Sequence, residues 1–268
     1  MPELPEIEVI TQFFCGKILG KSVFDVIINR TDLRLPIEKN FRDLVINQKI
    51  LNVYRKAKYI IILLSNNLRI IIHLGMSGKL LYAENYKFTQ HDHVIFVLND
   101  KSYVIFNDAR RFGLVVIFDN IQYKRFCKKF GLEPLIREFN TSYLINNLTK
   151  CSIKSLLMNN KIVVGIGNIY ASEILFKAHV LPYRVANTLS FNECVHIVQN
   201  IKIVLDYAIK AGGSTIKDYT SPLGLIGHFQ KKFMVYGREG KLCYLCKSSI
   251  LKINQNGRST FFCSKCQS

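Results

Sequence analysis

Two cysteine pairs constrain this chain more than any other feature. Cys243 and Cys246 form one CxxC motif, and Cys263 and Cys266 form another, with sixteen residues between them. Each motif places two thiolates on one side of a tight knuckle. Two knuckles complete a tetrahedral sulfur shell, which is the chemistry of a bound zinc ion. A single CxxC also suits a redox dithiol, but two motifs at this spacing favour metal. A shell closed by four protein sulfurs leaves no open position, so such a zinc is structural rather than catalytic. Between the pairs stands Asn256-Gly257, a hairpin signal flanked by strand-like residues 250–253 and 259–262. A zinc-held β-hairpin is therefore expected. It is basic: Arg238, Lys241, Lys247, Lys252, Arg258 and Lys265 face the single acid Glu239. The remaining cysteines, Cys15, Cys127, Cys151 and Cys194, are scattered singly and read as buried or incidental thiols.

The charge of the hairpin extends over the whole chain. Lys and Arg number 37 against 19 Asp and Glu, a formal charge of +18. Such a surplus attracts polyanions, with nucleic acid first. The abundance of Ile, Asn and Lys also fits a compositional bias. The length of 268 residues suits one large domain or two modest ones, and a 49% hydrophobic content supplies a core. The opening Met1-Pro2-Glu3-Leu4-Pro5-Glu6 lacks the basic start and apolar segment of a secretory signal. The longest apolar runs are strand-sized, well short of the ~20 residues of a membrane helix. A reducing, cytoplasmic setting is expected, with no membrane partner.

The pattern changes character once along the chain. Residues 23–28, 50–53, 59–64, 68–73, 93–98, 103–107 and 114–118 read as strands, with Asn66-Asn67 and Asn99-Asp100 as hairpin turns. Their spacing suggests a β-sandwich or barrel. A helix over 5–17 precedes them, with Ile7, Ile10, Phe13 and Phe14 as its apolar stripe. After Gly131-Leu132-Glu133-Pro134, helical periods dominate: 142–147, 153–158, 169–178, 190–211 and a short segment from Ser214. Gly165-Ile166-Gly167 separates two of them, Gly212-Gly213 ends the long one, and 218–230 reads as a loop. The expected class is α+β, divided into a β-rich part over 1–131, a helical part over 132–230 and the hairpin over 231–268.

The candidate chemistry lies at the other end of the chain from the cysteines. A proline at position 2 permits removal of the initiator methionine, which leaves Pro2 with a free secondary amine. An α-amino group has a pKa near 7.7–8, so a useful fraction is neutral at physiological pH. A neutral amine can attack the anomeric carbon of a deoxyribose and form a Schiff base. With a secondary amine the product is a charged iminium, an electron sink for later elimination. Glu3 stands beside it as acid or base. Pro and Glu also suit an ordinary helix start.

Four further segments accompany these residues: Arg55-Lys56-Ala57-Lys58-Tyr59, His73-Leu74-Gly75-Met76-Ser77-Gly78, Asn107-Asp108-Ala109-Arg110-Arg111-Phe112-Gly113, and the run from Gly165 to Glu173. Together with the N-terminus and the cysteine hairpin, the set resembles the formamidopyrimidine-DNA glycosylase family over nearly the whole chain. The resemblance implies an N-terminal β-sandwich with its helix, a helix–two-turns–helix domain and a zinc finger. It implies excision of 8-oxoguanine and formamidopyrimidines from double-stranded DNA, followed by β,δ-elimination at the abasic site. It also implies a monomer in a bacterial cytoplasm, at the nucleoid when bound. Pro2 then matches the Schiff-base nucleophile, Glu3 the general acid/base, Lys58 the proton donor in β-elimination and Arg258 the phosphate clasp. Met76, Arg110 and Phe112 match the side chains that fill the hole left by the extruded base. His91, Lys150, Lys154, Asn168 and Tyr236 fall where the family contacts the DNA backbone, and Lys217 lies in the loop over the extruded base.

The physics of the residues agrees. A glycosylase takes its base out of the stack, at a cost of a few kcal/mol. Met76 and Phe112 are apolar wedges, and Arg110 can bond the orphaned partner base. Asn168 at a helix start suits capping and phosphate binding. Met76 as a core residue, His91 as a turn histidine, and Lys150 and Lys154 as a solvated face stand as the plain alternatives. Ala109 departs from the proline common before the paired arginines, with small effect if Asp108 holds the turn. Two other functions fit part of the pattern. One is the related endonuclease VIII type, which excises oxidised pyrimidines, although its N-terminus has Gly where Leu4 stands. The other is a non-catalytic zinc-ribbon DNA binder, which leaves Pro2-Glu3, Lys58 and the wedge set unexplained.

Overall fold

The computed structural model describes residues 1–214 and 227–268. They form two compact units, Met1–Lys128 with Gly212–Gly227, and Lys129–Ala211 with His228–Ser268.

The first unit begins with helix α1, Leu4–Ile18. Two four-stranded antiparallel sheets follow. One has the order β1 (Val23–Ile28), β6 (Asp92–Leu98), β7 (Tyr103–Asn107), β5 (Lys79–Ala83). The other runs β2 (Ile50–Lys56), β3 (Tyr59–Leu64), β4 (Arg69–His73), β8 (Leu114–Phe118). Alternation along each strand sends one face inward. Ile60, Ile62 and Leu64 of β3, Ile70 and Ile72 of β4, Val94, Phe96 and Leu98 of β6, and Val104 and Phe106 of β7 share one core with Ile7, Ile10, Phe14 and Ile18 of α1. The expected sandwich is therefore present. Both Asn66-Asn67 and Asn99-Asp100 lie in hairpin turns, where Asn67 and Lys101 take the left-handed conformation.

Three elements escaped the pattern. Strand β5 has a single buried residue, Leu80, so no alternation marks it. Helix α2, Phe41–Val45, is little more than a turn. Helix α3, Asn120–Cys127, buries no residue and is held by a capping box between Asp119 and Gln122.

The second unit holds α4 (Thr141–Asn146), α5 (Ile153–Leu157), α6 (Asn168–Lys177) and α7 (Phe191–Lys210). Asn140, Ser152 and Ser190 cap three of them through side-chain oxygens. Along α7 the buried residues Cys194, Ile197, Val198, Ile201, Val204, Leu205 and Ala208 recur at three- and four-residue steps, which is one helix face. Gly212 and Gly213, both at positive φ, follow its end as the sequence requires. Strands β9 (Leu251–Gln255) and β10 (Arg258–Phe262) form the hairpin, turned by Asn256 and Gly257 with φ of 52° and 73°. Two successive left-handed residues make the type I′ turn expected of Asn-Gly. The hairpin does not stand alone: Phe176 of α6 packs in one cluster with Val235, Ile250, Phe261, Cys243 and Cys263. Among the described residues no helix is long and apolar enough to cross a membrane.

Candidate functional site

The N-terminal start of α1 is buried. Glu3 precedes the helix in an extended conformation and is 4% exposed, and Pro2 is buried beside it. The Glu3 amide donates to Glu6 Oε2 at 2.8 Å. The other Glu6 oxygen accepts from the Ser214 amide at 2.7 Å and the Ser214 hydroxyl at 2.8 Å. One buried carboxylate thus ties the backbone of Glu3 to the chain that follows α7. Gly213 makes room for it: a Cβ there would lie 3.2 Å from Glu6.

Lys58 follows Ala57, which turns the chain between β2 and β3 at a φ of 53°. The turn is braced from behind. Arg55 donates to the Ala57 carbonyl at 2.9 Å and pairs with Glu8 of α1 at 2.7 Å, with Arg55 only 9% exposed. Lys58 itself is buried. Close by, burial pushes the His73 imidazole down to about 4, helped by the positive charges of Arg34, Lys58 and the chain's amino terminus. His73 is therefore neutral at physiological pH. Its Nδ1 accepts from the Gly75 amide at 3.0 Å, and the Tyr59 ring packs on it at 4.8 Å. Lys58 and the amino terminus thus both act to keep the same buried imidazole uncharged.

The proposed wedge residues sit on two loops of this unit. Met76 is 42% exposed and Phe112 is 46% exposed, so neither is a core side chain. The Arg110 guanidinium lies over the Phe112 ring at 4.7 Å. Asp108, fully buried, organises both loops through bonds to Ser77, Arg110 and Gly113. That bracing meets the condition under which Ala109 in place of proline matters little. His91 is half-buried and its carbonyl accepts the Asp108 amide at 3.0 Å.

In the second unit, Lys150 is exposed, but Lys154 is not part of a solvated face. It is 2% exposed, with its ammonium donating to Thr260 Oγ1 at 2.6 Å and Asn168 Oδ1 at 2.7 Å. Asn168 in turn donates to the Ser259 carbonyl at 2.9 Å. Gly167, not Asn168, occupies the N-cap position of α6, and the Asn168 side chain is used to hold β10 instead. Beside this junction lies a hollow of about 240 Å³ lined by Lys154, Ser155, Met158, Gln255, Asn256 and the exposed Arg258. Tyr236 packs edge-on against Phe261 and Phe233. Its backbone is fixed by Glu173, a residue 2% exposed that accepts the amides of Met234, Val235 and Tyr236 at 2.8, 3.0 and 2.8 Å. Glu173 lies in the run 165–173 and Asp108 in the run 107–113, yet nothing in either run names the bonding partners of these carboxylates. Lys217 lies outside the described residues.

The four hairpin cysteines converge, with all sulfur atoms within 4.8 Å of one another. Cys243 and Cys266 are 3.8 Å apart, and Cys246 and Cys263 are 3.4 Å apart. These distances are too long for disulfides, which need about 2.05 Å. They match a tetrahedral metal shell, where sulfurs about 2.3 Å from the ion lie about 3.8 Å from each other. The group can hold one metal ion.

Comparison with known proteins agrees with this geometry. The formamidopyrimidine-DNA glycosylase N-terminal domain matches residues 1–115, and the formamidopyrimidine-DNA glycosylase H2TH domain matches residues 130–220. The formamidopyrimidine-DNA glycosylase of Wolbachia pipientis subsp. Culex pipiens (strain wPip) is 50% identical over 270 residues, covering 100% of both chains. The MutM (Fpg) protein of Thermus thermophilus superposes with a TM-score of 0.89 at 31% identity, covering 99% of this chain and 98% of that one. Lactococcus lactis Fpg (MutM), solved with Fapy-dG-containing DNA, gives a TM-score of 0.91 at 30% identity, covering 99% of each. The chain belongs to the formamidopyrimidine-DNA glycosylase family.

Proposed function

We propose that this protein is a bifunctional glycosylase and abasic-site lyase of base excision repair, acting on oxidised purines in double-stranded DNA. The observation that carries the chemistry is the burial of Pro2 and Glu3 at the start of α1 and of Lys58 in the same unit. With Met1 removed, the Pro2 nitrogen is the nucleophile. It attacks C1′ of the damaged nucleotide as the bond to the base breaks, and the base leaves with a proton. The resulting iminium acidifies the C2′ protons, so β-elimination expels the 3′ phosphate and δ-elimination the 5′ phosphate. Glu3 serves as acid and base around the sugar, and its position next to Pro2 suits that role. Lys58 donates a proton during β-elimination.

Met76, Arg110 and Phe112 fill the space vacated by the base. His91, Lys150, Asn168 and Tyr236 hold the DNA backbone, and the buried Lys154 serves that contact through the hairpin junction, where it bonds Asn168 and Thr260. Lys217 belongs to the loop over the extruded base. Cys243, Cys246, Cys263 and Cys266 hold one zinc ion, which fixes the hairpin so that Arg258 meets phosphate. The three functional parts are residues 1–131, 132–230 and 231–268, and the protein acts as a cytoplasmic monomer.

Borohydride reduction on a duplex containing 8-oxoguanine tests the reading. A covalent adduct is expected from protein whose mass shows loss of Met1, and none from a Pro2→Gln variant, whose bulkier second residue keeps the initiator methionine in place, as its mass verifies. Absence of any adduct from correctly processed protein rejects the mechanism.

A further inference from the structure

We propose that Asp108 is a positioning residue that locks the Met76 loop and the Arg110–Phe112 loop into one preassembled wedge. The proposal rests on the wedge role given above to those three side chains. The Asp108 carboxylate is fully buried and both of its oxygens are engaged. Oδ1 accepts from the Ser77 hydroxyl at 2.6 Å and from the Arg110 amide at 3.2 Å. Oδ2 accepts from the Gly113 amide at 2.8 Å. Its own backbone is pinned as well: the amide donates to the His91 carbonyl at 3.0 Å, and the carbonyl accepts from Arg111 at 3.2 Å and from His93 Nε2 at 2.8 Å.

The two loops are far apart in sequence but touch in space. A Cβ on Gly75 would lie 2.6 Å from the Gly113 nitrogen, and one on Gly113 would lie 2.6 Å from the His73 carbonyl. Bare backbone thus meets bare backbone on either side of the carboxylate. Met76 and Phe112 are too exposed for packing to hold them, so their placement depends on the backbones beneath. Bonds to a charged acceptor are the stronger kind and fix geometry as well as energy. Ordering both loops before DNA arrives removes that cost from the binding and extrusion step. Asp108 therefore governs base displacement and leaves the amine chemistry at Pro2 alone.

Two variants separate these steps. Asp108→Asn keeps the shape but offers one acceptor oxygen for donors that now occupy two. Ser77→Ala removes only the bridge between the loops. Stopped-flow fluorescence of 2-aminopurine placed beside 8-oxoguanine reads base displacement. Borohydride trapping on a single-stranded abasic oligonucleotide, which has no base to displace, reads the amine. Displacement is expected to slow about tenfold in Asp108→Asn and about threefold in Ser77→Ala, since loss of a charge-assisted bond is felt at this level. Trapping is expected to stay within about twofold, because it needs no wedge. Equal losses on both substrates would show a merely structural role and overturn the proposal. If Asp108→Asn does not fold, Ser77→Ala alone decides. Met76→Ala serves as the reference: if it slows displacement and the other two do not, the wedge stands and the coupling falls. If Met76→Ala leaves displacement unchanged, the wedge reading falls and takes the coupling with it.

Discussion

Glu173→Gln probes how the second unit holds its hairpin. One carboxylate oxygen takes the amides of Val235 and Tyr236, at 3.0 and 2.8 Å, and the other takes Met234 at 2.8 Å. Glutamine keeps the shape but can accept at one end only. With its oxygen on the double site, its amide nitrogen faces the Met234 N–H, donor against donor. The loss of one charge-assisted bond costs about 1.5–3 kcal/mol, and converting the other two to neutral bonds costs about 1 kcal/mol each. Burial pushes the Glu173 carboxyl up from its usual range, against the pull of the three amides and Arg238, so removing the charge returns part of that sum. A net loss of about 2–3 kcal/mol follows, and a melting temperature lower by about 5–10 °C. Thermal unfolding by circular dichroism measures the shift, and hydrogen exchange at residues 234–236 localises it. A variant that melts within about 1 °C of the parent, with those amides equally protected, would refute the reasoning.

Three further outcomes are expected. The depressed His73 imidazole means that, between pH 6.5 and about 4, the unfolded chain binds a proton that the folded chain refuses. Its contribution is complete above the unfolded value and lost as pH falls through this window, up to about 3 kcal/mol in full, so the difference between urea titrations at pH 7 and 4.5 should be smaller by about 2.4 kcal/mol in His73→Gln. Chelation under mildly denaturing conditions should release one zinc per chain by colorimetric assay and lower DNA affinity; release of none rejects the metal. In Arg258→Gln, the slope of log affinity against log salt should flatten by about 0.9 on undamaged duplex, measured by fluorescence anisotropy.

The fold was legible where side chains face one core. The bounds of β1, β3, β7 and β8 follow directly from apolar runs closed by turn residues. Strand β5 and helix α3 were not legible, because they bury one residue and none. The cysteine shell was readable since its four ligands come in two local pairs and the turn between them has its own signature. The bracing carboxylates were not. Glu173 bonds amides 61 to 63 positions away and Glu6 bonds a residue 208 positions away, distances over which no sequence period operates. Lys154 shows how an alternative is excluded: a solvated face on a short helix is the plain reading beside DNA contact, and the fold lays β10 across the residue instead.

The two-residue turn at Asn256-Gly257 carries a constraint of its own. Arg258 is the first residue of β10 and pairs with Gln255, and Thr260, two positions on, shares its side of the strand and reaches Lys154. Because side chains alternate, one added residue in the turn would rotate every later residue to the opposite side. Thr260 would leave Lys154, Arg258 would swing away, and Cys263 would be displaced from Cys246 in the same stroke. The length of this loop is thus a gauge block set between the metal and the arginine. An inserted label or tag belongs at the glycine-bounded bend of Gly237 and Gly240, both at positive φ and open to solvent.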